Sequence, residues 1–229
     1  MLFESLSTLR KDEARTVRNS KRDFKNELDL VKEGSEVFLR TFDVLSNEKV
    51  QEFTYSKDAT YRISYRIFRI LRCALNSSLE GYYDVSMALL RIAYENHLLI
   101  NYLSKNNKEA KFWFKGKRFS PSFLRKNVSY ASNPMYQEMS EFIHSSFRST
   151  FAFTQIEEGR TKATLGEYNK RQLENSLLLL LMTMTTTMIW LSLTFSEELM
   201  KNEEWHNTFK ETVPKTWKYL KGKVSEVKK

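Results

Sequence analysis

Apolar residues recur along most of this chain at three- and four-residue intervals, the spacing of helices that each hide one face. Over 2–32, Leu2, Phe3, Leu6, Leu9, Val17, Phe24, Leu28 and Val31 form one such stripe among densely packed, nearly balanced charges. Gly34 predicts a weak break, after which 37–45 continues in register. A polar stretch at 47–57 predicts a loop, and a second long helix is expected over 59–79, with Ile63, Ile67, Ile70, Leu71, Ala74 and Leu75 on one side. Gly81 then turns the chain, and Asp84 is the expected N-cap of a helix over 84–103, DVSMALLRIAYENHLLINYL. That helix is apolar on almost every side yet carries Arg91, Glu95 and His97 at its middle.

Downstream, a short aromatic helix is expected over 109–116 and another from Ser120-Pro121, since proline is tolerated in a first turn. Asn133-Pro134 punctuates the chain before a helical segment at 135–147. Within 148–166, Phe151 and Phe153 alternate with small residues and EEGR has the composition of a turn; a short hairpin and a long ordered loop both fit. One continuous helix is predicted over 167–201, about 35 residues or ~50 Å. Beyond it, Trp205, Phe209, Val213, Trp217, Leu220 and Val224 keep helical spacing through Pro214, predicting a kink or two short helices.

Only 6 glycines and 3 prolines occur in 229 residues, too few for a many-turned sheet protein. The expected fold is therefore all-α: a multi-helix bundle around the central buried helix (84–103) and the long helix (167–201). The bundle domain is expected to occupy 1–201, with 202–229 as a basic helical appendage. A long helix with spare apolar surface also predicts a homodimer.

Charge changes the picture of partners. The net charge is +9, and its excess is concentrated. Between 105 and 126 there are eight Lys and Arg against Glu109 alone, and between 210 and 229 seven Lys against Glu211 and Glu226. A basic balance favours polyanions such as RNA, or an acidic protein partner. On the second long helix Arg62, Arg66 and Arg69 fall at i, i+4 and i+7, with Arg72 nearby and no acid between Asp58 and Glu80. Such a row is either a solvated face balanced by acids of the first helix or a phosphate-contacting ridge. The single cysteine, Cys73, excludes an intrachain disulfide and a cysteine-rich zinc site. With Glu4 in an N-terminus lacking a sustained apolar run, a cytoplasmic setting is expected.

The uncharged run 175–196 is long enough to cross a bilayer. Hydroxyls at Thr183, Thr185, Thr186, Thr187, Ser192 and Thr194 lie on every side, and no aromatic belt flanks it. A buried core helix is favoured, with membrane attachment through 177–195 as the lesser alternative.

Three sets of residues carry candidate chemistry. The first is Arg91, Glu95 and His97. Structurally, Arg91 and Glu95 at i, i+4 would be a buried ion pair. Functionally, Arg91 and His97 are separated by five residues, R-IAYEN-H. This resembles the Arg-x4–6-His motif of the HEPN superfamily, helical bundles that include RNases of toxin–antitoxin and phage-defence systems. The resemblance implies metal-independent attack of a ribose 2′-hydroxyl on its phosphate, with Arg stabilising charge and His moving a proton. Ile92 stands where a polar residue commonly follows the Arg.

The second set comes from a broader resemblance over 81–147 to uncharacterised prokaryotic all-helical proteins, distantly HEPN-like. It is carried by G-x9-R-x3-E, then Trp113, Gly116 and Lys117, Ser120-Pro121, Arg125, and MSEFIH at 139–144. It implies signature positions at Arg91, Glu95 and His144, and a polar row Glu141–His144–Arg148. The third set is the basic segment. Phe112, Trp113, Phe114, Phe119 and Phe123 are interleaved with Lys115, Lys117, Arg118, Arg125 and Lys126. Rings stack on unpaired bases while cations neutralise phosphates; alternatively the rings enter the core and the cations face water. No zinc-ligand spacing, phosphate-binding glycine loop or nucleophile elbow is present, so neither metal nor cofactor is expected. The functions left open are an RNA-associated defence or toxin–antitoxin component, catalytic or degenerate, and a non-catalytic interaction module.

Overall fold

Few helix breakers and strong apolar periodicity produce long helices, and the computed structural model is all-α, a multi-helix bundle with one small hairpin. It describes residues 6–47, 53–128, 136, 139–140, 154–157, 160–163 and 166–227. The helices are α1 (Leu6–Asp23), α2 (Lys25–Ser46), α3 (Tyr55–Leu79), α4 (Tyr83–Ser104), α5 (Asn107–Phe114) and α6 (Pro121–Asn127). Strands β1 (Thr154–Glu157) and β2 (Arg160–Ala163) follow, then α7 (Lys170–Thr194), α8 (Ser196–Leu199) and α9 (Glu203–Val227). Of the two conformations open for 148–166, the described part is a hairpin: β1 and β2 pair antiparallel, with Thr154 opposite Ala163 and Glu157 opposite Arg160.

The expected boundaries shift where packing overrides local sequence. The break foreseen at Gly34 is absent, because α2 runs through it. An added Cβ at Gly34 would lie 2.2 Å from Met184 Cε, so the glycine serves close helix approach. The irregularity falls instead at Phe24, where hydrogen bonding persists from Phe24 N–H to Ser20 O (3.1 Å) and from Leu28 N–H to Phe24 O (3.0 Å). Asp84 lies in the first turn of α4 rather than at its N-cap. The helix expected to 201 ends at Thr194, and the chain restarts as the one-turn α8. Pro214 is carried inside a single α9.

The chain forms two compact units, divided within α2, α3, α4 and α7. The first comprises Met1–Leu28, Ile70–Ile92 and Asn133–Leu180. Its apolar centre is Phe24, Tyr83, Leu173 and Leu177, flanked by Leu28, Leu75 and Tyr168. Backbone approaches backbone at Gly81 (φ 90°), where a Cβ would meet Gly166 C at 2.6 Å and Glu167 O at 2.8 Å. Thr16 Oγ1 donates to Gly166 O at 2.6 Å and holds that approach from a third side.

The second unit comprises Asp29–Arg69, Ala93–Ser132 and Leu181–Lys229. Phe38 stacks on Phe68 with centroids 5.3 Å apart, and Phe42 meets Tyr65 edge-on at 5.2 Å. The stretch set apart by sequence as an appendage belongs to this core. Trp205 is buried, its Nε1 donates to Thr41 Oγ1 at 2.7 Å, and Lys215 pairs with Glu33 at 2.6 Å. The reason is the stripe begun by Trp205 and Phe209, whose rings stack at 4.8 Å.

Among the described residues α7 is the one helix long and apolar enough to cross a membrane. Leu177, Leu181, Met184, Met188 and Leu191 are nevertheless buried. Its threonines are accommodated by bonding back to their own helix: Thr185 Oγ1 to Leu181 O and Thr187 Oγ1 to Thr183 O, both 2.7 Å. That back-bonding satisfies these threonine hydroxyls inside the helix, whereas the buried Ser176 Oγ of the same helix has no hydrogen-bond partner among the described residues.

Candidate nucleic-acid interface

The two places where the sequence concentrates candidate chemistry are built differently. On α4, Arg91 belongs to the first unit and is half-buried. Its Nη2 donates to the Tyr136 hydroxyl at 2.5 Å, and its Cζ lies 4.7 Å from the Tyr136 ring centroid. Glu95, one turn on, is half-buried in the second unit.

His97 also belongs to the second unit and is 1% exposed. Its Nδ1 lies 3.2 Å from Thr187 Oγ1. The threonine already donates its one proton to Thr183 O, so Nδ1 is the donor in this contact. Burial lowers the His97 pKa to about 4, because the charged imidazolium loses its hydration. At neutral pH this side chain is an uncharged core group. The described contacts of Arg91 are with Tyr136, and those of His97 are with Thr187. His144, with Glu141 and Arg148, lies outside the described residues.

The basic segment, by contrast, faces solvent within the second unit. Helix α5 is anchored through Asn107, whose Oδ1 accepts from Ser56 N–H at 3.0 Å and Ser56 Oγ at 3.2 Å. Lys115 N–H and Lys117 N–H both donate to Phe112 O at 3.0 Å, and Gly116 adopts φ 92° to reverse the chain. Ser120 then caps α6, accepting from Phe123 N–H at 3.2 Å, with Pro121 in the first turn. Leu124 and Val128 turn inward and are buried.

That arrangement leaves the aromatic rings outside. Phe112, Phe114 and Phe123 are 38%, 39% and 39% exposed, and Trp113 and Phe119 are half-buried. Tyr102 of α4 supports Phe119 and Phe123, each with centroids 5.3 Å away, the second edge-on. Lys117 stands 5.1 Å from the Phe119 ring and 5.6 Å from Phe112, and its Nζ is 2.6 Å from Glu109.

Lys115, Arg118 and Lys126 are exposed and form no ion pair among the described residues. Arg125 is half-buried. Of the five cations expected to contact nucleic acid, three are therefore open, Lys117 is held by a carboxylate, and Arg125 points partly inward.

Other elements extend the same surface. Tyr55 of α3 is exposed and lies 5.9 Å from Phe114; Lys111 sits 5.6 Å above Tyr55, and Arg62 Cζ lies 5.9 Å from Phe114. Tyr55 and Arg62 come from α3, and no local motif marks them. Chemically the face presents rings for stacking beside cations for phosphate, with Glu109 and Asp58 each already paired to a cation.

Comparison with family models, with curated proteins and with solved structures finds no match to the chain.

Proposed function

We propose that this protein is an RNA-associated helical protein that holds single-stranded RNA on the α5–α6 face and does not cleave it through Arg91 and His97. The observation that supports this is the group of exposed rings, Phe112, Phe114 and Phe123, set among the cations Lys115, Arg118 and Lys126, which form no ion pair among the described residues. A ring that serves only the core gains little from solvent exposure, whereas base stacking contributes about 1–3 kcal/mol per base. On this reading the chain is a degenerate relative of the HEPN nucleases it resembles, with the RNA association kept and His97 taken into the core. A defence or toxin–antitoxin setting is what that resemblance implies.

The test is fluorescence anisotropy with an oligouridylate against wild type and Lys115→Glu/Arg118→Glu/Lys126→Glu. Salt-sensitive binding that weakens at least about ten-fold in the variant is expected. Equal binding by both would remove the assignment.

A second reading draws on α7, where Met182 and Ile189 are half-buried and Leu193 is 61% exposed along one helical side. It makes the protein a non-catalytic interaction module, and absence of any RNA binding would favour it.

A further inference from the structure

Helix α3 carries a second cationic feature that the α5–α6 face does not absorb. Arg62, Arg66 and Arg69 are all exposed at i, i+4 and i+7, and Tyr65, 49% exposed, stands among them. Like charges at these spacings repel within a helix. Arg62 is relieved by Asp58 (Nε to Oδ1, 2.7 Å), but Arg66 and Arg69 make no ion pair or hydrogen bond among the described residues.

Arg62 also links the row to the aromatic face, since its Cζ lies 5.9 Å from the Phe114 ring. Arg62 and Phe114 thus join the cations of α3 to the exposed rings of α5, and the described acids beside them, Asp58 and Glu109, are each paired to a cation. Seven residues of helix cover about 10 Å, the reach of about three phosphates at ~3.4 Å per stacked nucleotide.

We propose that Arg66 and Arg69 form a phosphate rail that continues the single-strand path from the α5–α6 face, so that longer RNA strands bind more tightly than short ones. This rests on the RNA-binding assignment above, and it names the substrate as an extended single strand rather than an isolated nucleotide or a short end. Guanidinium groups suit the role because they stay charged and offer forked donors to phosphate oxygens.

The experiment compares oligouridylates of roughly four and roughly twelve nucleotides, bound to wild type, Arg66→Ala/Arg69→Ala and Arg66→Lys/Arg69→Lys across a salt series. Wild type is expected to bind the longer strand more tightly than the added registers explain. The alanine pair should lose about ten-fold for the longer strand, with the salt slope lowered by about 1.4, while affinity for the short strand stays unchanged. The lysine pair should keep most of the slope. Short-strand binding with no length gain in wild type, or an alanine pair that keeps the long-strand affinity and slope, overturns the rail and leaves the α5–α6 assignment standing. No binding of either strand by wild type overturns both.

Discussion

The middle of α4 and the α5–α6 segment are close in sequence and opposite in exposure. Arg91, Glu95 and His97 are ionisable groups at the middle of a largely apolar helix, and they are half-buried or buried, with His97 closed off against Thr187. Phe112, Phe114 and Phe123 are apolar residues of a largely basic segment, and they stand in solvent. Exposure is thus inverted relative to side-chain type in both places. A polar group inside costs little once its hydrogen bonds are made, as His97 and Thr187 make theirs. The part of each ring left outside gains nothing from folding, so its exposure points to a ligand that would cover it.

The largest expected effect breaks the inside half of this contrast. His97→Ala leaves a cavity beside Thr187 and is expected to cost about 2–4 kcal/mol of stability, measured by urea denaturation, with oligouridylate affinity unchanged when assayed on folded protein. Loss of RNA affinity at unchanged stability would instead place His97 in the interface.

Acid should reveal the same residue. The folded pKa of His97 is about 4 against 6.5 for the free side chain, so between those values only the unfolded chain takes up its proton. Its contribution is complete above pH 6.5 and is lost as pH falls through 4, an effect on the order of 3 kcal/mol. The difference between wild type and His97→Gln in a pH series of denaturation midpoints isolates it. A difference constant from pH 7 to 4 would contradict the burial.

On the outside half, Phe112→Ala and Phe123→Ala should each weaken oligouridylate binding by about 1–3 kcal/mol. Phe123 also packs against Tyr102, so its variant should lose some stability as well, whereas Phe112 should not. The smallest expected effect is at Arg91. Incubation of structured RNA without added metal should leave it intact, and Arg91→Ala should change neither that result nor the binding constant. Cleavage abolished by Arg91→Ala would restore the nuclease function that the Arg-x5-His spacing implies.

Much of the fold was legible because helix periodicity is local. The edges of α3, α4, α5 and α6 lie within a few residues of those expected. What escaped depended on distant chain. Gly34 reads as a breaker until Met184 occupies the space a Cβ would need, and Phe24 carries no breaker signal at all. The end of the uncharged run was invisible for a related reason: 175–196 stays apolar past Thr194, where α7 stops.

The site divides in the same way. Burial of His97 follows from the apolar surroundings of 84–103, although the sequence offered a buried structural role only for its neighbours Arg91 and Glu95. The exposure of the α5–α6 rings did not follow, because the same FWF run in a basic segment suits a core helix. Its outward face is completed by Tyr55, Arg62 and Tyr102, which only the folded chain brings alongside.

The most direct test of which region meets RNA is photocrosslinking. A 4-thiouridine-containing oligouridylate would be bound to wild-type protein, irradiated, and the modified residues located by mass spectrometry. The account predicts crosslinks within 112–123, chiefly on Phe112, Phe114 and Phe123. Crosslinks confined to 91–97, or to the exposed side of α7, would contradict it.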